Sequence, residues 1–213
     1  MAYNVFGNPI TNETLEGMPE YAGKTIGKLD RARVALNMKN AAEKDFNART
    51  HVEKLKEQYG DGVSTLCLVY NATGDTITYS DKKDWLGHIG KAPYAALIAN
   101  GQWGVFLHVK TAGEASGSTA AVVYRGTDKN GTECDWMLSW SNPWDRTKWD
   151  NTVYTEIREP GHFEKGGIWD VIYNFLCQTR PYSKDTWNGC VSIMSTGSDT
   201  SPIVEAILTL ENA

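Results

Sequence analysis

The stretch SNPWDRTKW, residues 141–149, puts two tryptophans on one polar loop. Aromatic rings in such a place have three plausible chemistries: stacking on sugar rings, resting at a lipid interface, or enclosing a cation such as a quaternary ammonium group. Trp149 is the candidate stacking or caging platform for a ligand and Ser141 a hydrogen-bonding partner of that ligand, with Pro143 and Trp144 between the two in sequence. Asp145 would accept hydrogen bonds from sugar hydroxyls and would equally attract a choline-like cation, so its charge does not separate the two ligands. The competing reading is that Trp144 and Trp149 only plug the end of a core, because tryptophan is usually well buried.

The other reactive residues offer less. The histidines, His51, His88, His108 and His162, form neither an HxH nor an HExxH pattern, so spacing supports no metal site. His108 stands in an alternating apolar run and reads as a strand residue rather than a base. The acid pairs Glu156/Glu159 and Asp128/Glu133 have the residue types of a glycosidase but no enclosing pattern, and read as surface acids. The glycines of residues 113–117 lack the lysine and the preceding strand of a phosphate loop. No GxSxG elbow occurs, and no base can be tied to Ser141 or to Cys190. The expectation is a binding protein rather than an enzyme, with no cofactor and no metal.

Elements must deliver the loop. Residues 120–124 and 134–140 read as strands on either side of a turn at 127–132, so a hairpin carries the loop, and residues 151–157 leave it as a third strand. Before this, residues 1–28 are broken by Pro9, Pro19 and several glycines and read as an arm packed on the domain. Residues 29–46 read as one helix, with a second piece around Val52, Leu55 and Tyr59. Such a charged amphipathic helix either packs on its own domain or lies on a membrane. Residues 63–69 and 76–79 read as a hairpin, 81–94 as a loop, and 103–109 as a strand. Residues 168–176 read as a short helix or strand that carries Tyr173, 181–188 as a loop, and 190–194 and 204–210 as closing strands. Helix first and short antiparallel strands after it predict an α+β chain, mainly β: two antiparallel sheets packed as a sandwich, with helices attached at the edge. The domain proper is expected to span residues 29–213.

Composition narrows the class. With 213 residues and 41% hydrophobic content the chain can build one sizeable core. Its net charge of −5, with no strong basic cluster, gives no nucleic-acid groove. No window is long and apolar enough to span a bilayer, and the N-terminus shows no signal run, so a cytoplasmic protein with mostly reduced thiols is expected. Cys67, Cys134 and Cys177 lie among apolar residues as buried thiols do. A Cys177–Cys190 disulfide is left open by the spacing.

Two resemblances add to this. The stretches NVFGNPIT (4–11), RARVALNMKNA (31–41), LVYNATGDTITY (68–79), ANGQWGVFLHVKTAG (99–113) and CDWMLSWSNPW (134–144) resemble the plant jasmonate-induced proteins of about 23 kDa, over nearly the whole chain. That resemblance implies a plant stress and defence context. More distantly, residues 117–153 are similar to the core of the sea-anemone pore-forming toxins (actinoporins), whose sandwich is shared by aegerolysins and fungal fruit-body lectins. In the toxins the matching loop helps to hold phosphocholine. The resemblance places Ser141 and Pro143 on that loop's serine and proline, and Trp149 and Trp144 on its tyrosines. It sets IWDVIYN (168–174) opposite a tyrosine-rich segment, with Tyr173 kept and isoleucine at two other tyrosine positions. The implied ligand site is therefore Ser141, Pro143, Trp144, Asp145, Trp149 and Tyr173, and the implied partner is a glycan or a lipid headgroup, without stable transmembrane insertion. A membrane-permeabilising toxin and an enzyme are the alternative functions.

Overall fold

Residues STLCLVYNA, Ser64–Ala72, are buried along their whole length, on both faces. A strand of this kind needs a packed layer on each side, and the architecture follows from that need. The computed structural model describes residues 4–213; the first three residues of the expected arm lie outside the described residues. In chain order come β1 (Val5–Phe6), α1 (Asn12–Glu16), α2 (Lys28–Asn37), α3 (Lys44–Tyr59), β2 (Ser64–Ala72), β3 (Ile77–Leu86), β4 (His88–Ile89), β5 (Leu97–Ile98), β6 (Trp103–Val109), β7 (Ser118–Thr127), β8 (Glu133–Asn142), β9 (Thr152–Arg158), α4 (Ile168–Gln178), β10 (Tyr182–Trp187), β11 (Cys190–Thr196) and β12 (Ile203–Leu210). One sheet runs β1-β6-β2-β12-β11-β10 with β4 beside β6, and the other runs β5-β3-β7-β8-β9.

The alternation of each central strand assigns its faces. Cys67, Val69 and Phe106 join Val122, Leu138 and Trp140 in the core between the sheets. Leu66, Leu68, Tyr70, Trp103 and Val105 join Val34, Ala35, Ala48 and Val52 under α2 and α3. On the far side, Ala121, Val123 and Met137 pack with Ile172 of α4. The result is four layers, helices–sheet–sheet–helix. The leading helices cover a sheet face instead of an edge, because β2 and β6 are apolar on both sides.

Several expectations are corrected. Residues 29–46 do not form one helix. The chain breaks between α2 and α3, where Ala42 and Glu43 take φ of 54° and 55°. Tertiary contacts override helix propensity there: Trp103 Nε1 donates to the Lys39 carbonyl (3.1 Å), and Lys44 Nζ donates to the Tyr70 hydroxyl (3.0 Å) and the Gly101 carbonyl (2.8 Å). Residues 63–79 are not a hairpin. The turn after Ala72 carries the chain from one sheet to the other, held by Asn71 and by Gly74 N–H donating to Asn100 Oδ1. Residues 81–94 are not all loop either, since β3 continues through the charged SDKKD run to Leu86, with two bulges against β7. Residues 182–187 form an edge strand whose exposed polar side chains hide it from periodicity. The sheets are antiparallel except at β12–β2, which pair in parallel.

All four cysteines are free; Cys67, Cys134 and Cys190 are buried and Cys177 is exposed. The apolar setting of Cys177 misleads because it follows Leu176, the buried residue, by about 100° around the helix. Cys190 instead lies in the inter-sheet core and does not pair with Cys177. A polar thiol reagent applied to the native protein should therefore modify one site rapidly, Cys177. The other three should react only on unfolding, and fast labelling of more than one thiol by mass spectrometry would contradict the assignment.

Candidate functional site

The loop predicted from sequence leaves β8 at Asn142, and its hydrogen bonds fix where it goes. Asn142 is buried and its amide donates to the carbonyls of Ser64 and Thr200, both at 3.0 Å. Gly117, opposite, approaches so closely that a Cβ there would meet the Asn142 carbonyl at 2.3 Å. Asp145 accepts from the Thr147 hydroxyl and N–H, and the Trp149 N–H donates to the Asp145 carbonyl (3.2 Å), giving a closed turn. Its carboxyl lies below the ordinary carboxylate range because Thr147 and Lys148 donate to it. At the exit Asn151, also buried, donates to the carbonyls of Gly197 and Asp199 and accepts from Arg146.

Between this loop, the end of the β7–β8 hairpin and the C-terminal turns of α4 lies a cleft of 460 Å³. Of the predicted residues, Ser141, Pro143, Trp149 and Tyr173 line it together. Trp144 and Asp145 do not. Trp144 is exposed beneath the Lys110 ammonium, 5.4 Å from its ring centre, and Asp145 is committed to its own turn and to Lys148 at 3.1 Å. The lining also includes Leu86, Thr119, Lys148, Asp150, Thr152, Cys177 and Thr179, which sequence reasoning missed. A signal existed for Thr119, which is the cross-strand partner of Ser141 with the two hydroxyls 3.3 Å apart, and for Asp150, next to Trp149. Leu86 and Cys177 come from distant elements and carried no such signal.

Trp149 is 66% exposed, so it does not plug a core. Tyr173 is half-buried, with Trp85 at 5.3 Å between ring centres, and burial first, then Cys177, raises its hydroxyl above the ordinary value, so it stays a neutral phenol. The hydroxyls of Thr152 and Thr179 both donate to the Leu176 carbonyl and tie down the end of α4. That end is the negative pole of the helix dipole. Two aromatic rings, a helix C-terminus and the Asp150 carboxylate suit a cation, while Lys148 and the Ser141 and Thr119 hydroxyls suit an anion beside it. Leu86 and Trp149 line the cleft and are exposed, so they leave two large apolar groups in water at its rim.

Beneath the cleft lies a buried chain that sequence reasoning resolved only in part. The fully buried His108 donates from Nε2 to Asp84 Oδ1 (3.2 Å), its Nδ1 accepts from the Ser118 hydroxyl (2.8 Å), and Ser118 is linked to Thr65 (2.8 Å). The order Asp–His–Ser is that of a hydrolase, but His108 and Ser118 have no exposed surface for a substrate. The chain instead fixes the strand ends that present Leu86 and Thr119, which are themselves register partners. The acid pairs are also committed. Glu156 meets Arg158 at 3.2 Å, Glu159 meets Lys165 at 2.8 Å, and Asp128 accepts from the N–H groups of its own turn. Glu133 is exposed at the start of β8.

Residues 6–211 match the family of Nakanori-like proteins. The chain belongs to that family. Among curated relatives, a 23 kDa jasmonate-induced protein from Hordeum vulgare is 45% identical over 203 residues, covering 94% of this chain and 95% of that protein. A jasmonate-induced protein homolog from Atriplex canescens is 31% identical over 110 residues, covering 51% of this chain and 58% of the relative. The crystal structure of the lipid-binding protein Nakanori superposes with a TM-score of 0.88 at 35% identity, covering 96% of this chain and 99% of the other. The resemblance to jasmonate-induced proteins thus extends through the four-layer sandwich.

Two outcomes follow for the folded protein. Trp149→Ala should leave the melting temperature nearly unchanged, whereas Trp140→Ala, which empties a core site 1% exposed, should cost about 3–5 kcal/mol in denaturant unfolding. Early melting of W149A would return that ring to the core. The second concerns pH. Burial pulls His108 below its ordinary 6.5, so the native state holds it uncharged while the unfolded chain takes up a proton beneath that value. Burial would raise Asp84, but hydrogen bonds from His108 and Lys82 outweigh it and bring the carboxyl to about 2, a contribution lost only as pH falls from 3.8 toward that value. Melting temperature should therefore fall as pH drops below 6.5, and His108→Gln should flatten part of that slope; His51, also lowered by burial, keeps the remainder.

Proposed function

We propose that this protein is a stress-related plant protein that recognises a zwitterionic lipid headgroup of the phosphocholine type, bound in the cleft between Trp149 and Tyr173. The observation that carries the reading is the exposed ring of Trp149 opposite Tyr173, over a pocket holding one acid, one lysine and several hydroxyls. A quaternary ammonium would sit against the rings, Asp150 and the negative end of α4, and the phosphate beside Lys148 and Ser141. The exposed apolar rim favours a headgroup in a membrane over a free glycan, because it would be wetted by a soluble sugar and covered by a bilayer surface. The lipid-binding description of Nakanori and the jasmonate-induced relative, both similar over nearly the full chain, support the same reading.

Binding of this kind leaves the bilayer intact. Among the described residues no helix is long and apolar enough to cross a membrane, and α2 and α3 are held on the sheet by Lys44, Tyr70 and Trp103.

The test is flotation with phosphatidylcholine vesicles beside a glycan array. Wild type should float and the vesicles should keep an entrapped dye. Trp149→Ala should weaken binding about thirtyfold, the effect of losing roughly 2 kcal/mol at a central aromatic. Strong array signals without vesicle binding would give the cleft to a glycan, and dye release would give the protein to the toxin class.

A further inference from the structure

A second cleft, of 530 Å³, lies on the other side of the wall formed by Asp150, Thr152 and Thr179. It is lined by Arg146 and Arg180, with Asn151, Thr196 and Ser198. The chain has seven arginines. Arg31, Arg33, Arg49, Arg125 and Arg158 each pair with a carboxylate. Among the described residues, the two without a carboxylate partner are Arg146 and Arg180, and both line this cleft.

Their settings differ in a useful way. Arg146 is half-buried and fixed. It donates to Asn151 Oδ1 (2.8 Å) and to the carbonyls of Asp199 (2.7 Å) and Ser198 (2.6 Å), all neutral acceptors, so its charge is oriented but not neutralised. Its Nε is buried and has no hydrogen-bond partner among the described residues. Arg180 is exposed, and its guanidinium has no hydrogen-bond or ion-pair partner among the described residues. Asp150 and Asp199 are the neighbouring acids, yet neither carboxylate comes within 4.0 Å of either guanidinium. A fixed guanidinium beside a free one, rimmed by hydroxyls, matches the planar bidentate recognition of a phosphoryl oxyanion.

We infer that this second cleft binds a phosphoryl group, one carried by an anionic lipid headgroup or by a free phosphomonoester. The lipid source rests on the headgroup reading of the neighbouring cleft, whereas the anion site itself stands on the arginines. With both clefts used, the protein would read a membrane that presents choline headgroups and anionic phosphate side by side.

The net charge of −5 opposes non-specific adsorption to anionic surfaces, which makes the site testable. Binding is measured to phosphatidylcholine vesicles, to the same vesicles carrying about a quarter phosphatidic acid, and to soluble glycerol phosphate. Wild type should bind the anionic vesicles at least about tenfold more tightly than the neutral ones, the worth of one charged hydrogen-bonded contact. Arg180→Gln should erase that gain while leaving neutral-vesicle binding and melting unchanged, and Arg180→Lys should restore part of it. Lys91→Gln, the same charge change outside the cleft, should do nothing. Trp149→Ala should lower binding to both vesicles and preserve the Arg180-dependent gain, so failure of the choline reading and failure of this one are told apart. Arg180-dependent binding of glycerol phosphate without a vesicle preference would support the site with a free phosphomonoester as its source. A gain that survives Arg180→Gln, or no gain on anionic vesicles together with no glycerol phosphate binding, overturns it.

Discussion

The constraint on which the structure depends is that β2 and β6 are apolar on both faces. A two-layer sandwich would leave Leu66, Leu68, Tyr70, Trp103 and Val105 in water. Burying such side chains is worth roughly 1.5–3 kcal/mol each, so a helical layer over that sheet is obligatory. Lys44 shows how strongly it is held: the ammonium is buried, its pKa drawn down by desolvation, and it is kept only because Tyr70 and Gly101 accept its protons. The opposite sheet repeats the logic with Ala121, Val123 and Met137 under α4. The cleft is a consequence of that second covering. Once Ile172 and Leu176 dock α4 by its apolar stripe, the C-terminal turns emerge beside the β8–β9 loop and bring Tyr173 to Trp149.

The loop itself is ordered before any ligand arrives. Asn142 and Asn151 are buried at its two ends, each donating to two carbonyls, and Arg146 ties its middle to the segment before β12. A surface built this way loses little conformational entropy on binding. The same bonds hold a stretch rich in charge and aromatic area in place, because its amide and guanidinium donors reach main chain that strands elsewhere have already positioned.

The hairpin that carries the loop was legible because two strand-forming runs, 120–124 and 134–140, flank turn residues, and Ser141, Pro143 and Trp149 reach one cleft because the strand end and the loop are adjacent in sequence, with Tyr173 joining them from α4. Trp144 and Asp145 lie outside the cleft lining for local reasons: Trp144 lies under the Lys110 ammonium, and Asp145 closes an Asx turn, which is decided by hydrogen bonds rather than by periodicity. β3 was hidden by SDKKD, whose charges face solvent or pair with each other and with His108. β10 was hidden as exposed edge strands are. The β2–β3 pair failed most instructively. Two alternating runs around a turn satisfy every local signal of a hairpin, and only the competition for partners across the whole chain sends them to different sheets.

The pairing of β12 with β2 sets an order of events for the newly made chain. β2 is the middle strand of its sheet, and one of its neighbours is the last strand in the sequence, with Ser64 and Ser201 bonded across 137 residues. On a ribosome, β2 has one edge open until β12 has left the exit tunnel, and its unpaired N–H and C=O groups stay a template for other strands during that interval. The contact order is correspondingly high and closure slow. Loss of β12 by truncation would remove one of the two partners of a central strand and would leave a sticky nascent species for chaperones to hold.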